Sequence, residues 1–74
     1  MAETLGARLR RLRASRGWSQ RELARRSNVP QPLISRLERG TQDDTTGVFL
    51  HRLAACLDTS VDYLLGRMAG EQLP

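Results

Sequence analysis

Lysine is absent, and all twelve basic side chains are arginine; cysteine, histidine, tryptophan, tyrosine and phenylalanine occur once each. A single cysteine, Cys56, excludes an intramolecular disulfide, and no Cys/His cluster offers a metal set, so no metal is expected. Cys56 reads as a small apolar side chain in a reducing compartment rather than a redox sensor. His51 has no partner at metal spacing and reads as a surface or rim residue. No apolar run is long enough to cross a membrane, and the basic N-terminal stretch reads as an amphipathic helix rather than a signal peptide. A Gly-rich phosphate loop, paired carboxylates in an apolar setting and a Cys–His or Ser–His arrangement are all missing. Hence no enzyme, no cofactor and no small-molecule ligand is expected.

With 74 residues the chain is expected to form one domain over 1–74, with a core over 3–66 and a tail over 67–74. A chain this short buries only roughly 60% of its unfolded surface, so the core must be dense. The net charge of +4 and a pI near 11.0 suit a polyanionic partner. Guanidinium groups bind phosphate and guanine bidentately, although GC-rich codon usage is the plainer reason for arginine without lysine.

The chain is organised around Ser19 to Arg39, which reads as two short helices and a three-residue bend. Ser19-x-x-Glu22 is a capping box. Leu23 and Ala24 share one face, and Asn28 is suited to a left-handed stop. After the bend, Ile34, Leu37 and Glu38 share an inward face at i, i+3, i+4. Pro32, Ser35, Arg36 and Arg39 line the opposite side at i, i+3, i+4, i+7. Pro30 and Pro32 push Val29 and Gln31 away from the α region, so the second of these helices is expected to begin at Pro32, with Gln31 as a weak cap.

Around this unit the periodicity predicts three further helices, making an all-α fold. The first spans Glu3 to Arg16, with Leu5, Leu9 and Leu12 inward and Arg8, Arg10, Arg11, Arg13 and Arg16 around them. Gly17 permits a left-handed stop, and Trp18 reads as core rather than a base-stacking platform. Gly40 closes the third helix, and residues 41–47 form the clearest loop. Its Asp43 and Asp44 would repel a phosphate by about 1 kcal/mol each in water at close approach. They are expected to cap the next helix instead. That helix spans Val48 to Leu57, with Leu50, Leu53, Ala54 and Leu57 inward and Phe49 beside them. Ser60 caps a short fifth helix over 61–65, whose Val61, Leu64 and Leu65 close the core. Met68 to Pro74 reads as a frayed tail or part of a dimer contact.

Ser19-Gln20-x-Glu22-Leu23-Ala24 together with Ile34-Ser35-Arg36-Leu37-Glu38-Arg39-Gly40 resembles the phage Cro/repressor-like (XRE-like) helix-turn-helix family. The resemblance runs from Leu5 to Leu65. It implies a compact five-helix, lambda repressor-like domain whose third helix enters the major groove of double-stranded DNA. It further implies that Gln31, Pro32 and Arg36 read bases, Gln31 by pairing with adenine, Pro32 by apolar contact and Arg36 by contact with guanine. Gln20 matches a phosphate-contacting position at a helix N-terminus. Ser19, Arg21, Ser35 and Arg39 are expected to hold phosphates as well, with Arg25 also within reach of the backbone. In similar proteins an arginine matching Arg13 pairs with the glutamate matching Glu38 and ties the first helix to the third. The loop departs from the family: it is acidic where a basic residue is usual, and about one residue longer.

A sequence-specific transcriptional regulator, working in the cytoplasm on the nucleoid as a homodimer on a palindromic operator, is therefore the leading expectation. The alternative is a protein-interaction module on the same fold, such as an antitoxin-like or anti-repressor partner. The acidic loop and the two prolines at the helix tip favour that alternative slightly.

Overall fold

In the computed structural model, which describes residues 3–67, five helices follow one another: α1 (Leu5–Ser15), α2 (Gln20–Ser27), α3 (Gln31–Arg39), α4 (Gly47–Cys56) and α5 (Val61–Leu64). No strand occurs among the described residues. Arg67 is the last of them, and the rest of the tail expected over 67–74 lies outside the described residues. None of the described helices is long and apolar enough to cross a membrane.

Four of the five helices start on a hydroxyl cap. Thr4, Ser19, Thr46 and Ser60 accept from the backbone amides of Ala7, Glu22, Phe49 and Tyr63. Each satisfies one amide that has no partner within its helix. Each helix is followed within two residues by a left-handed one: Gly17 (φ 72°), Asn28 (φ 58°), Gly40 (φ 80°), Asp58 (φ 55°) and Gly66 (φ 77°).

Most of the apolar stripes anticipated from spacing converge on one core; Leu50 is buried outside that cluster, and Leu65, expected to close it, is half-buried and not part of it. Leu9, Leu23, Ile34, Leu53 and Leu64 are wholly buried, with Val29, Leu33, Leu37, Ala54 and Leu57 nearly so. Leu5, Leu12, Trp18, Phe49, Cys56 and Val61 pack against it from the rim. α1 touches α3 and α5, while α4 touches α2 and α5, so α2 and α3 are braced from behind. Trp18, expected in the core, sits half-buried at its rim, with the guanidinium groups of Arg16 and Arg26 at 5.5 and 4.6 Å from its ring. Cys56 is half-buried, and burial pushes its thiol pKa up, with Arg26 and Arg16 opposing. His51 is exposed.

Three helix starts differ from the sequence reading, and α1, α4 and α5 each end one residue earlier than expected. α1 begins at Leu5 because Thr4 caps it. α3 begins at Gln31, one residue before Pro32, and Pro30 occupies the cap position without a side-chain bond. The carbonyl of Pro30 accepts from Leu33 and Ile34 (3.1 and 3.2 Å), two residues that bury their side chains. Their packing outweighs the bias of Gln31 against helical dihedrals. α4 begins at Gly47 under Thr46, and neither aspartate of the preceding loop supplies its cap. Asp44 Oδ1 accepts instead from the amide of Thr45 at 2.8 Å.

Two tertiary features had gone unread. Arg8 is buried to 8% exposure; it donates to the carbonyls of Leu64 (3.0 Å) and Glu3 (3.1 Å), joining α1 to the end of α5. Beside it, Arg11 grips the Glu3 carboxylate with two bonds of 2.9 and 3.0 Å and reaches the Tyr63 hydroxyl at 2.8 Å. The Arg11 guanidinium holds the Glu3 carboxyl below its ordinary pKa. Gly6, in turn, lets α1 approach α3 at backbone distance, since a Cβ there would lie 1.9 Å from the carbonyl oxygen of Leu37.

Gly6→Ala is expected to destabilise the fold by at least about 1–3 kcal/mol, because backbone and not a flexible side chain must move. Gly47 is a fair control: it is helical and has no atom within 4 Å of an added Cβ. Gly47→Ala should leave stability unchanged or raise it by up to about 1 kcal/mol. Thermal unfolding of the two variants checks the contrast, and equal melting temperatures would sink the close-approach argument.

Candidate nucleic-acid interface

The α2–α3 corner is built from short-range rules and then fixed from outside. Asn28 ends α2 in the left-handed region, and its amide bonds to the carbonyl of Ala24. Val29 then turns inward to 2% exposure and pins the bend to the core. From α4, Arg52 donates to the carbonyl of Asn28 at 3.1 Å, a brace that the sequence alone did not reveal.

A buried carboxylate holds the second half of the corner. Glu38 accepts from Arg13 Nε (2.7 Å) and Nη2 (2.8 Å), with side-chain exposures of 4% and 15%. The third guanidinium nitrogen, Nη1, donates to the carbonyl of Trp18 at 2.7 Å. Gln20 Nε2 adds a 3.1 Å bond to Glu38 Oε1. The Arg13–Glu38 pair thus joins α1, the segment before α2, the first turn of α2 and the last turn of α3. The hydrogen bonds that Arg13 donates to Glu38's oxygens push the Arg13 pKa above its ordinary value, against the pull of burial.

With Leu33, Ile34 and Leu37 turned into the core, the other flank of α3 is left outward. Gln31, Pro32, Arg36 and Arg39 are exposed, and Ser35 is half-buried among them. Ser35 Oγ accepts from Arg39 Nη1 at 2.6 Å, so these two side chains form one donor-rich unit. Arg36 donates from Nε to Gln42 Oε1 at 3.0 Å. On α2, Ser19 and Arg21 are exposed, and Arg21 has no ion-pair partner among the described residues. Ser19 Oγ is engaged in its cap. Gln20 is half-buried, with one amide hydrogen committed to Glu38 and a second remaining. Arg25 and Arg26 close onto Glu22, which turns away from the return bond of a full capping box, and both lower its pKa.

The charge balance follows from these pairings. Glu3 is shared by Arg8 and Arg11, Glu22 by Arg25 and Arg26, and Glu38 pairs with Arg13, so each shared carboxylate offsets only one of its two arginines. In the corner, Arg21, Arg36 and Arg39 have no carboxylate partner among the described residues. Next to it, a cleft of about 590 Å³ runs along the start of α3, walled by Pro30, Pro32, Leu33 and Phe49. No group of three or more potential metal ligands gathers among the described residues.

Two helices joined by a left-handed hinge, one face packed and the other open, make a helix-turn-helix unit. A family profile described as a helix-turn-helix domain matches residues 4–64, and the chain belongs to this family, in its Cro/repressor-like (XRE-like) branch. Among curated relatives, the HTH-type transcriptional regulator SinR of Bacillus subtilis (strain 168) is 36% identical over 61 residues, covering 82% of this chain and 55% of SinR. The SinR of Bacillus licheniformis matches to the same extent. The HTH-type transcriptional regulator ImmR of Bacillus subtilis (strain 168) is 36% identical over 64 residues, covering 86% of this chain and 50% of ImmR. The chain spans about half the length of the curated relatives it matches. No solved structure matches it.

Removing Arg13 should strand the Glu38 carboxylate, so Arg13→Ala is expected to cost about 2–4 kcal/mol. Arg11, whose side chain is 48% exposed, should cost less than about 1 kcal/mol on truncation. Denaturant unfolding of the two variants measures the difference; equal midpoints would mean that the Arg13–Glu38 pair does not hold the corner.

Proposed function

We propose that the chain is a sequence-specific DNA-binding transcriptional regulator that lays α3 in the major groove. One observation carries this reading: Gln31, Pro32, Arg36 and Arg39 share an exposed flank of a helix whose other flank is sealed into the core. Arg36 can pair bidentately with a guanine, Gln31 with an adenine, and Pro32 offers apolar contact to a thymine methyl. Ser35 with Arg39, and Arg21 with the amides at the start of α2, hold phosphates on either side and set the register. Gln20 takes part through its remaining amide hydrogen while its first keeps Glu38 in place.

The size of α3 argues for two copies. Nine residues extend about 13 Å, enough for roughly four base pairs. A homodimer on a palindrome, with half-sites about 34 Å apart, doubles what is read. Such a regulator works on the nucleoid, in the cytoplasm. One observation favours a protein-interaction module instead: Asp43 and Asp44 are exposed close to α3 and have no ion-pair partner among the described residues. A basic protein surface would suit them better than a phosphate would.

Selection of bound duplexes from a random pool tests the reading. The expected product is a palindrome, bound with an affinity that falls steeply with salt. Repeating the selection with Arg36→Ala should relax one base pair per half-site, a loss of roughly 1–3 kcal/mol of discrimination. Absence of binding to any duplex at low salt would overturn the proposal in favour of the interaction module.

A further inference from the structure

The acidic loop after α3 folds back onto one residue. The carbonyl of Arg36 accepts from the amides of Thr41 (3.1 Å) and Gln42 (3.3 Å), and from the Thr41 hydroxyl at 3.3 Å. The side chain of Arg36 is met by the same segment. Its Nε donates to Gln42 Oε1 at 3.0 Å, and Gln42 Nε2 donates onward to the main-chain carbonyl of Asp44 at 2.7 Å. Chemistry leaves the Gln42 amide one orientation, since Arg36 Nε can only donate and the Asp44 carbonyl can only accept. Asp44 is fixed in turn by the bond from the Thr45 amide to its own carboxylate. A relay of Asp44, Gln42 and Arg36 therefore spans from loop to helix, along the cleft walled by Pro32, Leu33 and Phe49.

We infer that Gln42 is a specificity-determining positioning residue: it holds the Arg36 guanidinium by Nε and presents both Nη nitrogens outward as a preformed fork. Neither Nη has a hydrogen-bond partner among the described residues, and these are the atoms that a bidentate contact with a guanine edge requires. An arginine on an open helix face samples many rotamers, and immobilising it on binding costs about 0.5–1.5 kcal/mol. A neutral amide reduces that cost without neutralising the guanidinium, whereas a carboxylate at position 42 would compete with DNA for it. This also gives the acidic loop a role that does not depend on its charges, because Asp44 supplies a main-chain carbonyl to the relay. The inference rests on the base-reading role proposed for Arg36.

Base preference measured by competition among duplexes, for wild type, Gln42→Ala, Arg36→Ala and the double variant, tests it. Discrimination at the Arg36-dependent base pair should fall roughly 2- to 10-fold in Gln42→Ala. Preference at the other positions and the salt slope should stay unchanged. In the Arg36→Ala background, Gln42→Ala should add nothing at that base pair. In the DNA-free protein, 15N relaxation of the Arg36 Nε–H should report an ordered side chain that loosens in Gln42→Ala, with the backbone amide spectrum otherwise retained. A wild type that discriminates while Gln42→Ala discriminates equally or better, or additive effects in the double variant, would overturn this inference and leave the DNA-binding reading standing. A wild type with no base preference would overturn both.

Discussion

A carboxylate with 4% exposure, gripped by two guanidinium nitrogens and an amide, is the constraint on which the α2–α3 corner rests. Burying Glu38 and Arg13 is costly on its own, and the cost is offset only because every oxygen and nitrogen involved finds a partner at 2.7–3.1 Å. No buried side-chain polar atom among the described residues is left without a hydrogen bond. Such a network adds direction to the nonpolar packing. Leucines alone would tolerate small rotations of α3, whereas a bidentate pair fixes the angle at which its outward flank faces solvent.

The same economy decides where charge remains. Arginines near α1 and the end of α2 are drawn into pairs with Glu3, Glu22 and Glu38, or onto carbonyls such as those of Leu64, Leu57 and Asn28. The arginines of α3 meet only neutral groups, Gln42 and Ser35. Their guanidinium groups therefore stand without an ion-pair partner on the flank that the core leaves open, with Asp43 and Asp44 in the adjoining loop.

What could be read from the sequence were features that local physics decides. The hydroxyl cap at Ser19, the left-handed stops at Asn28 and Gly40, and the inward Ile34–Leu37 stripe depend on neighbours three or four residues away. Features that depend on distant backbone were not legible. Gly6 looks like an unremarkable helix glycine until Leu37 is placed 1.9 Å from its missing Cβ. Arg8 looks like one more solvated arginine until α5 brings the Leu64 carbonyl over it. The aspartates looked like caps because they precede a helix, yet Thr46 stands closer to the first turn. Gln42 carried no signal at all, since its meaning comes from the loop folding back on Arg36. For the candidate interface, spacing alone brought Pro32, Ser35, Arg36 and Arg39 to one flank; the assignment of separate roles came from family resemblance.

The account turns on which surface meets DNA. Titrating a 15N-labelled chain with a duplex recovered by selection, and following the backbone amides, addresses that directly. Shifts are expected to concentrate over Gln31–Arg39 and the start of α2 at Gln20, with α5 little changed except where a second copy docks. Shifts centred on α4 and α5 that leave α3 undisturbed would contradict it.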